Sequence, residues 1–361
     1  MITHSSLKII PVVSGEKSEA DFLQFPQRVY KKEELMQSVS EEQAQISGQH
    51  PLSPTYTFQA FNGYQEGQMV IRGALIKPHH LEDYYLGYFE AVDDVTVMIQ
   101  FIQTLSEKVR DKNVQRIIGP VQGSFWLGYR MKVKGFERAP FTSEPHNPSY
   151  YPKLWQAAGF KEVEHYTSNF YRSIPPQYES KKLAKRYQLF VEKGYRFVSP
   201  KPEDWPTVSL EVFELLRVLY KDFPLYQEVT AEQFSQIFAD LKQVIDFSMV
   251  KLAYKDQQLV GFLITLPDYG NLIYQKMNLL NLAKIIYKKW RAKRYVILYL
   301  GVDSKHLGLG LAMSYPVFKQ VKQRKAEVVA ALIHENTVTN RYVTEMQEDS
   351  HAYSLWMLEL E

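Results

Sequence analysis

The chain has 361 residues, 45% hydrophobic and 23% charged, with a formal net charge of only +3; that suits a folded protein of two ordinary domains and gives no electrostatic reason to expect nucleic acid as a partner. With no cysteine, disulfides, thiolate metal sites and a cysteine nucleophile are excluded, and the nine histidines show no metal-ligand spacing. No basic-then-apolar leader opens the sequence and no apolar run approaches the roughly 20 residues of a membrane span, so the expectation is a cytoplasmic protein with no metal and no membrane partner.

In chain order, "SLKIIPVV" reads as a strand and "SEADFLQFPQRVY" as a helix started at Ser18. "YTFQAFNGYQEGQMVIRGALI" reads as a hairpin with turn signals at Asn62-Gly63 and Glu66-Gly67, and "YYLGYFEA" as a strand. Asp93-Asp94 then caps the helix "VTVMIQFIQTLSEKVRD". "VQRIIGP" is a strand, "NPSYYPKLWQAAGF" a short helix closed by Gly159, and "HYTSNFYRS" a strand. The prolines and charge run of "IPPQYESKKLAKRY" read as a linker.

The second half repeats this order. "GYRFVSP" is a strand, and "DWPTVSLEVFELLRVLY" and "TAEQFSQIFADLKQV" are amphipathic helices. "FSMVKLAYKDQQLVGFLITLP" is a strand pair turning near Asp256-Gln257, and "NLLNLAKIIYKKW" an extra helix. Leu279, Leu282, Ile286 and Trp290 fall on one face of it, a pattern of ordinary amphipathic burial. "RYVILYLGVD", a helix beginning "LAMSYPVFK", the strand "AEVVAALIHEN", the helix "TVTNRYVTEM" and the strand "HAYSLWMLEL" complete the chain. The word Tyr-Leu-Gly recurs at 85–87 and 299–301, and Asn147 and Asn336 each open a short helix. The reading is a divergent tandem duplication with an insertion at Gly119 to Ser143. Its domains are 1–176, a linker at 177–190, and 191–361.

The stretch Tyr299 to Tyr315 runs strand, Gly308-x-Gly310, helix. Such a turn leaves backbone N–H groups open at the positive end of a helix, which suits a diphosphate. The segment Val302 to Ala312 fills the frame V-x-P-x-x-R/Q-G-x-G-[IL]-[GA], with Leu307 in place of the Arg or Gln. In this frame, in the element order and in "HENTVTNRYVTEM", the second half resembles the GNAT superfamily of acetyl-CoA-dependent N-acyltransferases. The first half is similar to a second such unit, chiefly in "NPSYYPKLWQAAGF". The implied fold class is α/β, with mostly antiparallel mixed sheets flanked by helices in tandem GNAT-like folds.

The resemblance implies one acetyl-CoA site, in the second half. Its binding residues would be Leu300, Val302, Leu307, Gly308, Leu309, Gly310, Leu311, Ala312 and Asn336, with the backbone near Val302 polarising the thioester carbonyl. Tyr342 would protonate the leaving thiolate. The first half has no glycine turn and carries Asp93 and Asp94, whose carboxylates repel a diphosphate, so it should not bind CoA. The general base has no carboxylate candidate on "RYVILYLGV"; Tyr299 either orders a water or lines the core. The five basic residues of "YKKWRAKRY" read as a solvated helix end, or as a contact to the CoA 3′-phosphate or an acidic partner. The resulting reading is an N-acetyltransferase acting on a small-molecule or peptide amine, with oligomerisation open. The alternatives are a non-catalytic CoA- or ligand-binding protein of the same fold, and an aminoacyl-tRNA-dependent transferase, against which the low net charge weighs.

Overall fold

The computed structural model describes residues 6–110, 114–337 and 346–360. Along the chain lie β1 (Lys8–Pro11), α1 (Lys17–Gln24), α2 (Pro26–Val29), α3 (Val39–Ile46), β2 (Tyr56–Gln65), β3 (Gln68–Pro78), β4 (Tyr84–Ala91) and α4 (Val95–Val109). Then come β5 (Arg116–Gly119), β6 (Met131–Lys134), α5 (Tyr151–Ala157), β7 (Lys161–Tyr171), α6 (Lys181–Glu192), β8 (Arg196–Val198) and α7 (Trp205–Tyr220). The rest is α8 (Ala231–Ile237), α9 (Leu241–Val244), β9 (Lys251–Lys255), β10 (Gln258–Pro267), α10 (Leu279–Trp290), β11 (Arg294–Val302), α11 (Leu309–Arg324), β12 (Glu327–His334) and β13 (Gln347–Glu359).

These elements form two compact units, residues 1–165 with 352–361, and residues 166–351. In unit 1 the strand order is β1-β2-β3-β4-β5-β13, antiparallel except for the parallel pair β4–β5, and β6 pairs with β13. In unit 2 it is β8-β9-β10-β11-β12-β7, antiparallel except for the parallel pair β11–β12. The same plan therefore occurs twice, and in each unit the closing strand comes from the other half of the sequence. The expected boundary is displaced for this reason. The expected linker at 177–190 is largely α6, which buries Leu183 and Phe190 in the core of unit 2, on the side of α11.

The core of unit 1 is the apolar side of α4 (Val97, Phe101, Leu105) with Trp155, Tyr151 and Trp356. That of unit 2 gathers Leu309, Met313, Val317 and Val321 of α11 against Leu263 and Tyr295. Burying a side chain of this size stabilises by about 1.5–3 kcal/mol. Asp94 caps α4 as expected, its Oδ1 accepting from Thr96 and Val97 N–H at 2.8 and 3.1 Å.

Several local expectations differ: the helix expected from Ser18 is two pieces, α1 and α2, and the short helix expected to open at Asn147 begins at Tyr151. Asn62-Gly63 is no turn: it lies within β2, where buried Asn62 donates to the Ser18 carbonyl, and the hairpin turns at Glu66-Gly67, both at positive φ. The helix expected at 230–244 is two pieces, α8 and α9. The apolar stripe of α10 faces outward. That helix docks by its opposite side, through buried Ile285 against Tyr269 and Leu272, with Lys288 donating to the Tyr269 carbonyl and Lys289 to that of Gln243.

Candidate functional site

In unit 2 the site is built where the central strand loses a neighbour. β11 pairs with β12 in parallel from Arg294↔Glu327 to Ile297↔Ala330 and no further, while its pairing with β10 continues to Val302↔Gly261. The register on β10 steps from Thr265↔Ile297 to Ile264↔Tyr299, so Leu298 is an extra, bulged residue. A bulge bends its strand and re-aims the side chains beyond it. The half-buried segment Leu298 to Leu300 thus keeps one pairing edge and leaves β12 on the other.

The chain then turns into α11. Asp303 N–H donates to the Val260 carbonyl, and Asp303 Oδ1 accepts from Lys305 N–H at 2.9 Å. Tyr195 O–H and His306 Nδ1 lie 2.6 Å apart, which ties the turn to the core. Gly308 is the N-cap at φ +87°, a left-handed conformation that side chains resist. No side chain caps this helix, so the N–H groups of Gly310 and Leu311 stand at its open, positive end. A Cβ placed on Gly308 would lie 3.2 Å from Arg186 Nη1. The guanidinium of α6 therefore stands over the glycine turn.

Of the expected binding residues, Gly308, Leu309, Gly310, Leu311 and Ala312 form the turn and the first helical turn, with Leu309 and Ala312 fully buried as packing. Leu300 and Val302 lie on the departing part of β11. Leu307 is 84% exposed. Asn336 is an exposed turn residue whose N–H donates to His334 Nδ1 at 3.4 Å. Tyr342 lies outside the described residues. Pro316 is accommodated inside α11, which runs on to Arg324.

Unit 1 has the same frame with its opening filled. β4–β5 pairing spans only Tyr84↔Ile117 and Tyr85↔Ile118, and the chain after β5 then lies along β4. Val121 N–H donates to the Leu86 carbonyl at 3.0 Å, and the Gln122 side-chain oxygen accepts from Tyr88 N–H at 2.5 Å. A Cβ on Gly87 would meet the Val121 carbonyl at 2.1 Å, so only glycine permits this approach. Asp94 occupies the start of α4, the position that is open in α11. Asn147 is a structural tie, accepting from Lys132 N–H and donating to the Lys132 carbonyl.

Beside this lies a buried ionic group. Arg72, 2% exposed, grips Glu42 with two hydrogen bonds of 2.7 and 3.1 Å and stands 3.9 Å from Glu90 on β4. Glu90 accepts from Tyr30 and Tyr151 O–H, both at 2.7 Å. Burial dominates and pushes the Glu90 carboxyl up to about 7, although Arg72 and the two tyrosines pull the other way. Lys132 and Glu144 form a second ion pair, fully buried, at 3.0 Å, with Tyr353 O–H on Glu144 at 2.6 Å.

Sequence reasoning missed Arg186 and Gln122. Arg186 falls inside the expected linker, although Leu183, Tyr187 and Phe190 already carry helical spacing. Gln122 has no signal of its own.

No family model matches the sequence, and no curated protein matches it. Solved structures do. A tandem GNAT protein from the clavulanic acid biosynthesis pathway is 11% identical, with a TM-score of 0.52 over 99% of each chain. A GCN5-related N-acetyltransferase from Sphaerobacter thermophilus is 13% identical, with a TM-score of 0.50 over 98% of this chain and 96% of its own. One from Kribbella flavida is 10% identical, with a TM-score of 0.50 over 99% of this chain and 72% of its own. At this identity the likeness is one of fold, and the fold of this chain is that of the tandem GNAT proteins.

Proposed function

We propose that this chain, carrying a tandem GNAT fold, is an N-acyltransferase that takes acetyl-CoA in unit 2 and passes its acetyl group to an amine. The observation that carries the reading is the conjunction in unit 2. The central strand departs from its parallel neighbour after Ile297, and the next helix begins at an uncapped left-handed glycine. The first feature offers a strand edge for an extended pantetheine arm, and the second offers backbone donors for a diphosphate. The residues present fit such a ligand.

Bound acetyl-CoA supplies an acyl group activated as a thioester. The N–H groups of Gly310 and Leu311 would hold the diphosphate, and Arg186 would supply the charge that Leu307 does not. Backbone donors of β11 near Val302 would polarise the acyl carbonyl as charge develops on its oxygen. Tyr342 would return a proton to the leaving thiolate. β11 bears no carboxylate, so the acceptor would have to arrive as the free amine, or as an ammonium that gives up its proton to water held by Tyr299.

Calorimetric titration with acetyl-CoA tests the reading. One site per chain is expected, lost in Gly308→Glu and retained in Tyr342→Phe, whose turnover should fall about 100-fold. Two sites, or binding indifferent to Gly308→Glu, would refute it. The missing carboxylate on β11 specifically favours a second reading, a CoA-binding protein without chemistry. In that case binding persists with no turnover on any amine.

A further inference from the structure

The outward face of α10 carries none of the residues assigned above to the acyl site. Seven of the large hydrophobic side chains exposed in the described residues lie between Met277 and Trp290. Leu279 is 85% exposed, Leu280 75% and Trp290 74%, with Ile286 and Tyr287 beside them. Monomeric soluble proteins scatter such residues singly, and a concentration of them marks a contact surface. The helix is anchored from behind by Ile285 and by the backbone bonds of Lys288 and Lys289, so the apolar stripe is held outward by the fold.

Charge selects the occupant. Between Asp268 and Asp303 the sequence has no acidic residue, while Lys276, Lys284, Arg291 and Lys293 flank or follow the stripe, besides Lys288 and Lys289 that anchor the helix from behind. A second copy docked face to face would bring these cations against each other, which disfavours self-association. A helix with an apolar strip of Leu, Ile and Trp bordered by Lys and Arg suits the boundary between anionic headgroups and acyl chains. No helix among the described residues is long and apolar enough to cross a membrane. We propose that α10 lies on the surface of an anionic lipid bilayer and holds the protein there peripherally. This proposal departs from the expectation of no membrane partner and is independent of the acyltransferase reading.

The test is flotation of the full chain with vesicles, either phosphatidylcholine alone or phosphatidylcholine carrying about one-third phosphatidylglycerol. Binding to the anionic vesicles is expected, at least about tenfold weaker on neutral vesicles and in roughly 0.5 M salt. Leu279→Ser with Trp290→Ser should lower binding about tenfold or more, and so should Lys284→Glu with Arg291→Glu. These side chains are exposed, and unchanged circular dichroism and melting temperature confirm that both variants fold. No binding by the wild type overturns the proposal, as do equal binding to neutral vesicles or variants that bind like wild type. A dimer in sedimentation velocity that dissolves in Leu279→Ser/Trp290→Ser also overturns it, and assigns the face to a second copy.

Discussion

The two units repeat one strand order, yet they use the gap beside the central strand differently. Unit 2 lets β11 and β12 part after Ile297 and Ala330 and leaves α11 uncapped. Unit 1 parts β4 from β5 after Tyr85 and Ile118, then lays Val121 and Gln122 along β4 and caps α4 with Asp94. The stretch of the central strand that departs from its parallel neighbour in unit 2 is lined in unit 1 by the chain itself. Two copies of a fold can thus differ in one open and one self-filled gap through one insertion and one carboxylate, without changing the order of strands.

The largest effect should come from breaking unit 1 alone. Glu144→Ala strands the Lys132 ammonium in a fully buried site and should cost about 3–5 kcal/mol. Hydrogen exchange resolved by segment should show the loss in residues 1–165, with acetyl-CoA binding unchanged. Loss of CoA binding in that variant would mean that the units are not separable.

Nearly as large is the effect of Glu90, whose folded carboxyl titrates at about 7 against 4.5 ordinarily. Its raised value means that the folded state prefers the protonated form. This contribution is fully present below about pH 4.5 and is lost as pH rises through 7, a change of about 3 kcal/mol. Glu90→Gln keeps an acceptor for Tyr30 and Tyr151 and removes the titration. Compared with wild type in urea unfolding, it should gain about that much between pH 4.5 and 8. A difference that does not vary with pH would remove burial as the governing cause.

In unit 2, Gly308→Glu should weaken acetyl-CoA binding about 100-fold or more, since a carboxylate would occupy the helix end at a strained backbone position. Gly308→Ala separates strain from charge and should lose much less. Arg186→Ala should weaken binding about tenfold, the value of one charge-assisted hydrogen bond. Indifference to Arg186 would leave the diphosphate to backbone donors alone. Smallest of all, Asp93→Gly in unit 1 should change nothing in the titration. A second site appearing there would show that charge, and not Gln122 and its neighbours, closes that unit.

The elements legible in the sequence are those whose signals are local. Asp94 as a cap, the hairpin at Asp256-Gln257, the glycine turn at 308 and the doubled element order all depend on neighbours a few residues away. The features hidden from it depend on distant partners. Tyr-Leu-Gly recurs on both central strands, but the bulge follows Gly87 in unit 1 and precedes Gly301 in unit 2, so the shared word does not mark equivalent positions. Arg186 reaches the glycine turn only because α6 folds against α11. The stripe on α10 is legible as a stripe, but periodicity gives no indication of whether anything covers it. Asn62-Gly63 misleads because the dipeptide that favours a turn also serves, inside a strand, to bury a side-chain amide against the Ser18 carbonyl.

That unit 1 is completed by residues 352–361 has a consequence in time. During synthesis unit 2 emerges whole, while unit 1 must wait for its closing strand until residues 166–351 have been made. At roughly 5–20 residues per second this is a delay on the order of ten seconds or more. Through that interval the edge of β5 that will meet β13 is unpaired, and an unpaired edge is an invitation to any other strand. Unit 1, made first, thus becomes native only after unit 2 has been made, and a nascent chain stalled within unit 2 should display unit 1 as a client for chaperones.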